Sequence, residues 1–329
     1  MSPIIPPDIQ PAFTSDLADS DIRAKLIDLL GLVTVPDNVD FTTSETRETE
    51  DTRFTHLSYQ NSLRETVPAI LMEPPGHTGK LRPGIVCISG TSGSAERVAH
   101  PHFHQSPDGP LIGWGRELAR RGFTTLAISI KGTEGRHRSI EEWATECKLL
   151  SPYGRSQMGI LVEETLRAAR ILCATNGVDK SRIGLTGMSL GGNATWYSMA
   201  CAPWIAAGVT VCGGLGSLAS VIHQSDNERH SAYYYIPNFL CHFDHPRVVA
   251  TCMPPRPFMM ISPTRDEDMP RQGVDALIPV VQKAYASTGH HDRFKVYQPD
   301  GNHRFLVEYF EQMVAWFDHF LLSPQEKSY

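Results

Sequence analysis

Six short, almost wholly apolar runs, at 84–89, 124–130, 182–186, 206–211, 258–262 and 294–297, alternate with longer amphipathic segments at 112–121, 156–175, 191–202, 273–287 and 303–322. A strand with one wet face alternates apolar and polar residues, whereas a run without alternation is buried on both faces. The pattern therefore predicts an α/β fold, a mostly parallel central sheet with helices on both faces. Right-handed crossovers place every loop that follows a strand on one edge of such a sheet, where functional residues belong.

Ahead of this series the pattern differs. A Pro-rich arm leads into a helical run in which Leu17, Ile22, Leu26, Leu29 and Leu30 recur at helical spacing, ended by Gly31. The polar, Thr-rich stretch 42–59 has extended character, and a second extended run, 66–72, stops at Pro74-Pro75-Gly76. These read as an antiparallel strand pair leading into the domain. The expected division is an arm and helix over 1–41 and one α/β domain over 42–329. About 45 residues separate the runs at 206–211 and 258–262, where connections usually take about 2–6. This stretch, about 213–255, carries His223, His242 and His245 and reads as a small cap-like insertion over the active edge.

The chain has 329 residues with a net charge of -6, which gives no electrostatic footprint for nucleic acid or anionic membrane. No apolar run is long enough to span a bilayer, and the N-terminus lacks the basic start and apolar stretch of a secretory signal. Seven scattered cysteines, without close spacing, read as reduced thiols of a cytoplasmic protein. His100, His102 and His104 alternate, yet no acidic or cysteine ligand stands in register with them, so no metal is expected. No Gly-x-Gly-x-x-Gly or Walker sequence has the required context, and Gly113-Trp114-Gly115 lacks the third glycine, so no cofactor is expected.

The sharpest local signal is Gly187-Met188-Ser189-Leu190-Gly191, a strand running through a tight turn into a helix. Such a turn exposes a serine hydroxyl, and glycines on either side remove side chains that would clash. A serine needs a base, and 14 histidines are available. His303, just after the last strand and opening the last helical segment, emerges on the same edge as Ser189. His290 and His291 precede that strand and belong to the opposite edge. The orienting carboxylate is expected after the run 258–262, giving the order Ser, Asp, His, and that loop offers Asp266, Glu267 and Asp268.

Asp179-Lys180-Ser181-Arg182-Ile183 followed by Gly187-Met188-Ser189-Leu190-Gly191-Gly192 resembles the α/β-hydrolase superfamily, in particular its dienelactone hydrolase and acetyl xylan esterase-like branch. The likeness runs from about 42 to the C-terminus and is strongest from 155 onward. It implies a hydrolase, and since the dienelactone hydrolases proper use cysteine where this chain has Ser189, ordinary ester hydrolysis is favoured over their lactone chemistry. It implies His303 as base, in a Gly-x-His setting followed by the aromatic Phe305. It favours Asp266 as acid, with Pro270 four residues on, although Pro263 stands where the family has glycine. Asp268 is the alternative. Some hydrolases take the acid from the loop one strand earlier, but Cys212-Gly213-Gly214-Leu215-Gly216-Ser217 has no carboxylate. The oxyanion donors expected are the backbone N–H groups of Leu190 and of Thr91, the latter in a loop where Ser89-Gly90 replaces the family's His-Gly. Met188, Trp143, Tyr233 and Tyr234 are candidates for the substrate pocket, with plain core packing as the alternative.

The resulting expectation is a carboxylic ester hydrolase acting on a small molecule or carbohydrate, its acyl group an acetyl among other choices. A peptidase or thioesterase of the same fold, or a non-catalytic binding protein that kept the fold, are the alternatives. Oligomeric state is left open, a homodimer included.

Overall fold

The computed structural model describes the chain except residues 1–4, 7, 12, 14–15, 75–80, 107–108, 137–138, 225–229 and 323–329. Nine strands form the main sheet: β1 (Phe41–Glu48), β2 (Arg53–Gln60), β3 (Thr66–Glu73), β4 (Arg82–Ile88), β7 (Thr124–Ile128), β8 (Val178–Met188), β9 (Ala207–Val211), β10 (Phe258–Ile261) and β11 (Phe294–Tyr297). Two short strands, β5 (His104–Gln105) and β6 (Leu111–Ile112), pair separately. The order across the main sheet is β1-β2-β3-β7-β4-β8-β9-β10-β11. From β7 to β11 every neighbour is parallel, and β1, β2, β3 and β7 join antiparallel.

All six apolar runs are strands, and their alternate residues feed two hydrophobic layers. Val86, Ile88, Leu126, Ile128, Ile183 and Leu185 face one side, covered by α1 (Asp19–Leu30), α5 (Gln157–Ala174), α6 (Leu190–Cys201), α8 (His245–Cys252) and α9 (Arg271–Ser287). Ile85, Cys87, Ala127, Val209, Met259 and Ile261 face the other, under α2 (Ala95–Val98), α3 (Trp114–Arg120) and α10 (Val307–Phe317). Helices α4 (Ile140–Leu150) and α7 (Leu218–Gln224) complete the set. Among the described residues, no helix is long and apolar enough to cross a membrane.

The N-terminal helix is joined to the rest by polar contacts as well as by buried Ile22, Leu26 and Leu30. Arg23 donates to the carbonyls of Ala200 and Cys252, and Ser156 donates through both N–H and Oγ to Leu30 O. Gly31 takes the left-handed conformation (φ 58°) at the helix end, where a Cβ would lie 1.9 Å from Gly154 O.

Two expectations need correction. The stretch 42–59 is itself a hairpin, so three antiparallel strands lead into the parallel series instead of two. Its turn is closed by Thr49 N–H to Thr52 O at 2.9 Å, with Thr49 Oγ1 accepting from Thr52 N–H at 3.1 Å. Every residue of β1 is exposed, so no burial pattern marks the break. Next, His303 does not open the last helix. Its loop continues to Leu306, and α10 begins at Val307. The described part of the stretch between β9 and β10 buries Tyr234, Phe239, Phe243, Val248 and Val249 in the same cluster as α5 and α6.

A buried ion pair fastens the loop after β7. Glu164 in α5 is fully buried, and Arg136 grips both its oxygens through Nη1 and Nη2 at 2.9 and 3.0 Å. Lys131 N–H and Asn61 Nδ2 donate to the same carboxylate at 2.8 and 2.7 Å. Removing one partner of a buried pair strands the other charge, which costs about 3–5 kcal/mol. Arg136→Ala is expected to lower unfolding stability by about that much in urea titrations. Arg136→Lys should recover only part of it, because an ammonium cannot reproduce the two-pronged contact.

Candidate active site

At the β8–α6 junction Ser189 has φ 55° and ψ −115°, a conformation that non-glycine residues rarely adopt. The surroundings force it. A Cβ on Gly187 would stand 2.5 Å from the Gly191 backbone, and one on Gly191 would stand 2.3 Å from Ile88 O. The glycines thus let β8, β4 and the start of α6 come together, and every residue of α6 is buried. Ser189 N–H donates to Val211 O at 2.9 Å, so the turn is also tied to β9.

The same row of backbone bonds runs on across the sheet edge. Cys212 N–H donates to Ile261 O, and Ser262 N–H to Tyr297 O, both at 2.9 Å. Beyond the ends of β10 and β11 the pairing persists, with Thr264 N–H to Pro299 O and Arg265 N–H to Gly301 O at 2.9 Å each. Two loops are thereby zipped together, and they carry Asp266 and His303.

His303 Nδ1 lies 2.7 Å from Asp266 Oδ1, and His303 Nε2 lies 2.9 Å from Ser189 Oγ. The three residues, far apart in sequence, form one hydrogen-bonded line. The Asp266 side chain is 1% exposed and that of His303 16%. Asp266 Oδ1 also accepts from Asp268 N–H at 3.0 Å. That bond curls the loop so that Asp268 Oδ2 reaches the other side of the imidazole, 3.3 Å from Nε2. Glu267 takes a third position, its Oε2 accepting from His303 N–H at 2.8 Å and its Oε1 from Asn302 Nδ2 at 3.1 Å. The three neighbouring acids therefore hold three distinct places around one histidine.

Burial alone would lower the His303 pKa. The hydrogen bond to Asp266, then the charges of Asp266, Asp268 and Glu267, outweigh it and hold the imidazole above its ordinary value. Cys212, next to this group, went unmarked in the sequence. Its thiol donates to Arg304 O at 3.3 Å, and burial followed by the charge of Asp266 pushes it well above the usual range. The Cys212, Asp266 and His303 donor atoms lie within 4.8 Å of one another. The Cys212 thiol is already engaged with the Arg304 carbonyl. Asp266 Oδ1 and His303 Nδ1 already serve each other.

Ser189, Met188, His303 and Asp268 line a cavity of about 780 Å³, together with the loop after β4 and Trp114. Gly90 abuts the turn at Ser189, since a Cβ there would be 3.3 Å from Ser189 Cβ. Thr91 stands in the turn closed by Gly93 N–H to Gly90 O, a bond that leaves the Thr91 N–H out of the turn's own pairing. Leu190 is the first residue of α6, and the first N–H groups of a helix have no intrahelical acceptor. Of the four pocket candidates only Met188 is among the described lining residues. Trp143 lies over Gly132 and packs on Tyr233, their ring centroids 5.6 Å apart. Tyr234 is fully buried, donates to Gly214 O at 2.7 Å and stacks on His230. No residue of 213–255 is among the described lining residues, although His230 donates to the carbonyl oxygen of the lining residue Asp268.

No protein-family model matches the chain. In sequence it is 25% identical over 283 residues to "Putative hydrolase YtaP" of Bacillus subtilis (strain 168), the match covering 85% of this chain and 92% of that protein. In structure it is similar to a glucuronoyl esterase from Solibacter usitatus, with a TM-score of 0.70 and 14% identity over 94% of this chain and 97% of the other. It is also similar to an acetyl xylan esterase from Paenibacillus sp. R4, with a TM-score of 0.62 and 16% identity over 96% and 98%. Likeness of this extent shows that the chain has the α/β-hydrolase fold.

The imidazole offers a direct check on this electrostatic picture. In NMR titrations His303 is expected to deprotonate above the ordinary histidine value of about 6.5, and Asp266→Asn to bring that midpoint down. An unchanged midpoint in the variant would contradict the dominant role given to Asp266.

Proposed function

We propose that this protein is a serine hydrolase of carboxylic esters, with Ser189 as nucleophile, His303 as general base and Asp266 as the carboxylate that holds the imidazole. The observation that carries the reading is the continuous line from Ser189 Oγ through His303 to Asp266, at 2.9 and 2.7 Å, opening on a cavity. Asp266 fixes the tautomer with the proton on Nδ1, leaving Nε2 free to accept the serine proton.

As Ser189 Oγ attacks the ester carbonyl carbon, its proton passes to Nε2. The tetrahedral oxyanion is received by the N–H groups of Leu190 and Thr91, each such donor being worth about 10²–10³ in rate. The carbon–alkoxide bond then breaks, and the alcohol leaves with the proton from Nε2. Water repeats the sequence on the acyl-enzyme, releasing the acid and restoring the serine. The fully buried α6 helix beneath Ser189 adds positive potential to the oxyanion side.

The names of the structural relatives, a glucuronoyl esterase and an acetyl xylan esterase, favour an ester borne on a small molecule or carbohydrate. A cavity of about 780 Å³ is within the range of small-ligand sites, about 300–1,000 Å³. All seven cysteines are free thiols, which fits a cytoplasmic setting.

Because the base must be neutral, activity is expected to rise with pH through the raised His303 midpoint and to be lost below it. Ser189→Ala should lower p-nitrophenyl acetate turnover by about 10³-fold or more with the fold intact. A fluorophosphonate should label Ser189 in the wild type. Folded protein that resists the probe would exclude this reading in favour of a binding protein with the same fold.

A further inference from the structure

The mechanism above needs one acceptor at His303 Nε2, and the structure supplies a second beside it. Asp268 Oδ2 stands 3.3 Å from Nε2, on the side of the imidazole away from Asp266, and the residue lines the cavity. Its placement is fixed from both sides. Its N–H is held by Asp266 Oδ1 at 3.0 Å, and its carbonyl oxygen accepts from the Nε2 of His230, a buried residue. The His230 ring stacks on Tyr234 with centroids 4.0 Å apart, so the contact comes from a packed element. The Asp268 side chain is only 18% exposed, a restrained carboxylate turned toward the reacting atoms.

Resting on the triad reading, the geometry points to Asp268 as a further catalytic residue, one that orients the deacylating water and selects water over alcohols as acyl acceptor. During deacylation the nucleophile occupies the space next to Nε2 and gives it one proton. Water carries a second proton, and a carboxylate oxygen 3.3 Å from Nε2 is within reach of a hydrogen bond from it. The two acceptors, Nε2 and Oδ2, therefore match a nucleophile with two O–H bonds. An alcohol has only one, and its carbon substituent would be turned against the carboxylate. An alcohol therefore forgoes a hydrogen bond to Oδ2 that water makes, and polar sites discriminate between close analogues in this way.

Charge and atoms balance without further reagents. Water oxygen bonds to the acyl carbon, one of its protons moves to Nε2, and the other remains on oxygen, donated to Asp268. When the carbon–Oγ bond breaks, Nε2 returns its proton to Oγ and the carboxylic acid departs. Asp268 stays ionised throughout. The same carboxylate attracts the transient imidazolium proton, easing its formation in both half-reactions.

The test is product partition. With p-nitrophenyl acetate and added methanol, the ratio of methyl acetate to acetate depends only on the fate of the acyl-enzyme, whichever step limits turnover. Asp268→Asn, nearly the same in shape, is expected to raise that ratio by about tenfold, the worth of one hydrogen bond to a charged acceptor. Fluorophosphonate labelling of Ser189 in the variant, slower than in the wild type or not, would show that the variant is folded and acylates, and Asp268→Ser carries the same test if the asparagine variant does not fold. A labelled, active variant whose partition ratio matches wild type would overturn the assignment while leaving the triad standing. Wild-type protein that neither labels nor releases p-nitrophenol would overturn both.

Discussion

The site depends on the close approach of β4, β8 and α6 around the turn at Ser189. Ser189 occupies a backbone region that costs about 1–3 kcal/mol, and such strain persists only where the surroundings over-determine it. Here they do. The Ile88 carbonyl would lie 2.3 Å from any Cβ at position 191, while a helix without a single exposed residue pins the far side of the turn. Any relaxation of Ser189 would have to move a helix or a central strand. A serine presented this way keeps one orientation of its hydroxyl, which is the preorganisation that a proposed nucleophile requires.

Its partners arrive by a different device. Asp266 and His303 belong to loops, and loops are ordinarily the mobile part of a fold. In this chain the parallel pairing of β10 and β11 does not stop where the strands end, because Thr264 and Arg265 continue it to Pro299 and Gly301. Main-chain bonds thus set the separation between the two loops before any side chain makes contact. The Glu267 carboxylate then caps the His303 N–H, fixing the backbone from which the imidazole projects. The 2.7 and 2.9 Å contacts follow from a scaffold and do not have to hold the loops together themselves.

What the sequence disclosed and what it withheld divide along the same line. Parallel strands were readable because burial on both faces leaves its own mark, and the run 294–297 coincides with β11. The turn at Ser189 was readable because its glycines answer a steric demand within five residues. Long-range relations left less trace. Asp266, Glu267 and Asp268 are three acids in a row, and their places around the imidazole are separated by bonds that the sequence does not show, from Asp268 N–H to Asp266 Oδ1 and from His303 N–H to Glu267 Oε2. The hairpin at 42–59 hid because β1 has no buried face. Helix α4 was missed although Ser139 caps it, accepting from Glu142 N–H at 3.1 Å, in the Ser-x-x-Glu spacing of a helix start. Trp143 and Tyr234 were drawn toward the pocket by residue type, while volume and hydrogen bonding place them in the core.

Three carboxylates around one histidine set a balance between two demands. A base must be neutral to accept a proton, yet the transition state is helped when the protonated form is stable. Asp266 serves the second demand and also dictates the tautomer. Asp268 and Glu267 add charge that deepens the imidazolium well at the expense of the neutral base near neutral pH. Burial opposes all three, and it is the largest single influence on His303. The loop can therefore carry so many acids because the imidazole is largely withdrawn from water. In a more exposed setting the same charges would be screened and their placement would matter less. The close packing that strains Ser189 and the acidic loop that surrounds His303 are thus complementary in the proposed mechanism: the first fixes the backbone that presents the serine, and the second, through a largely withdrawn imidazole, would set the pH at which its hydroxyl gives up a proton.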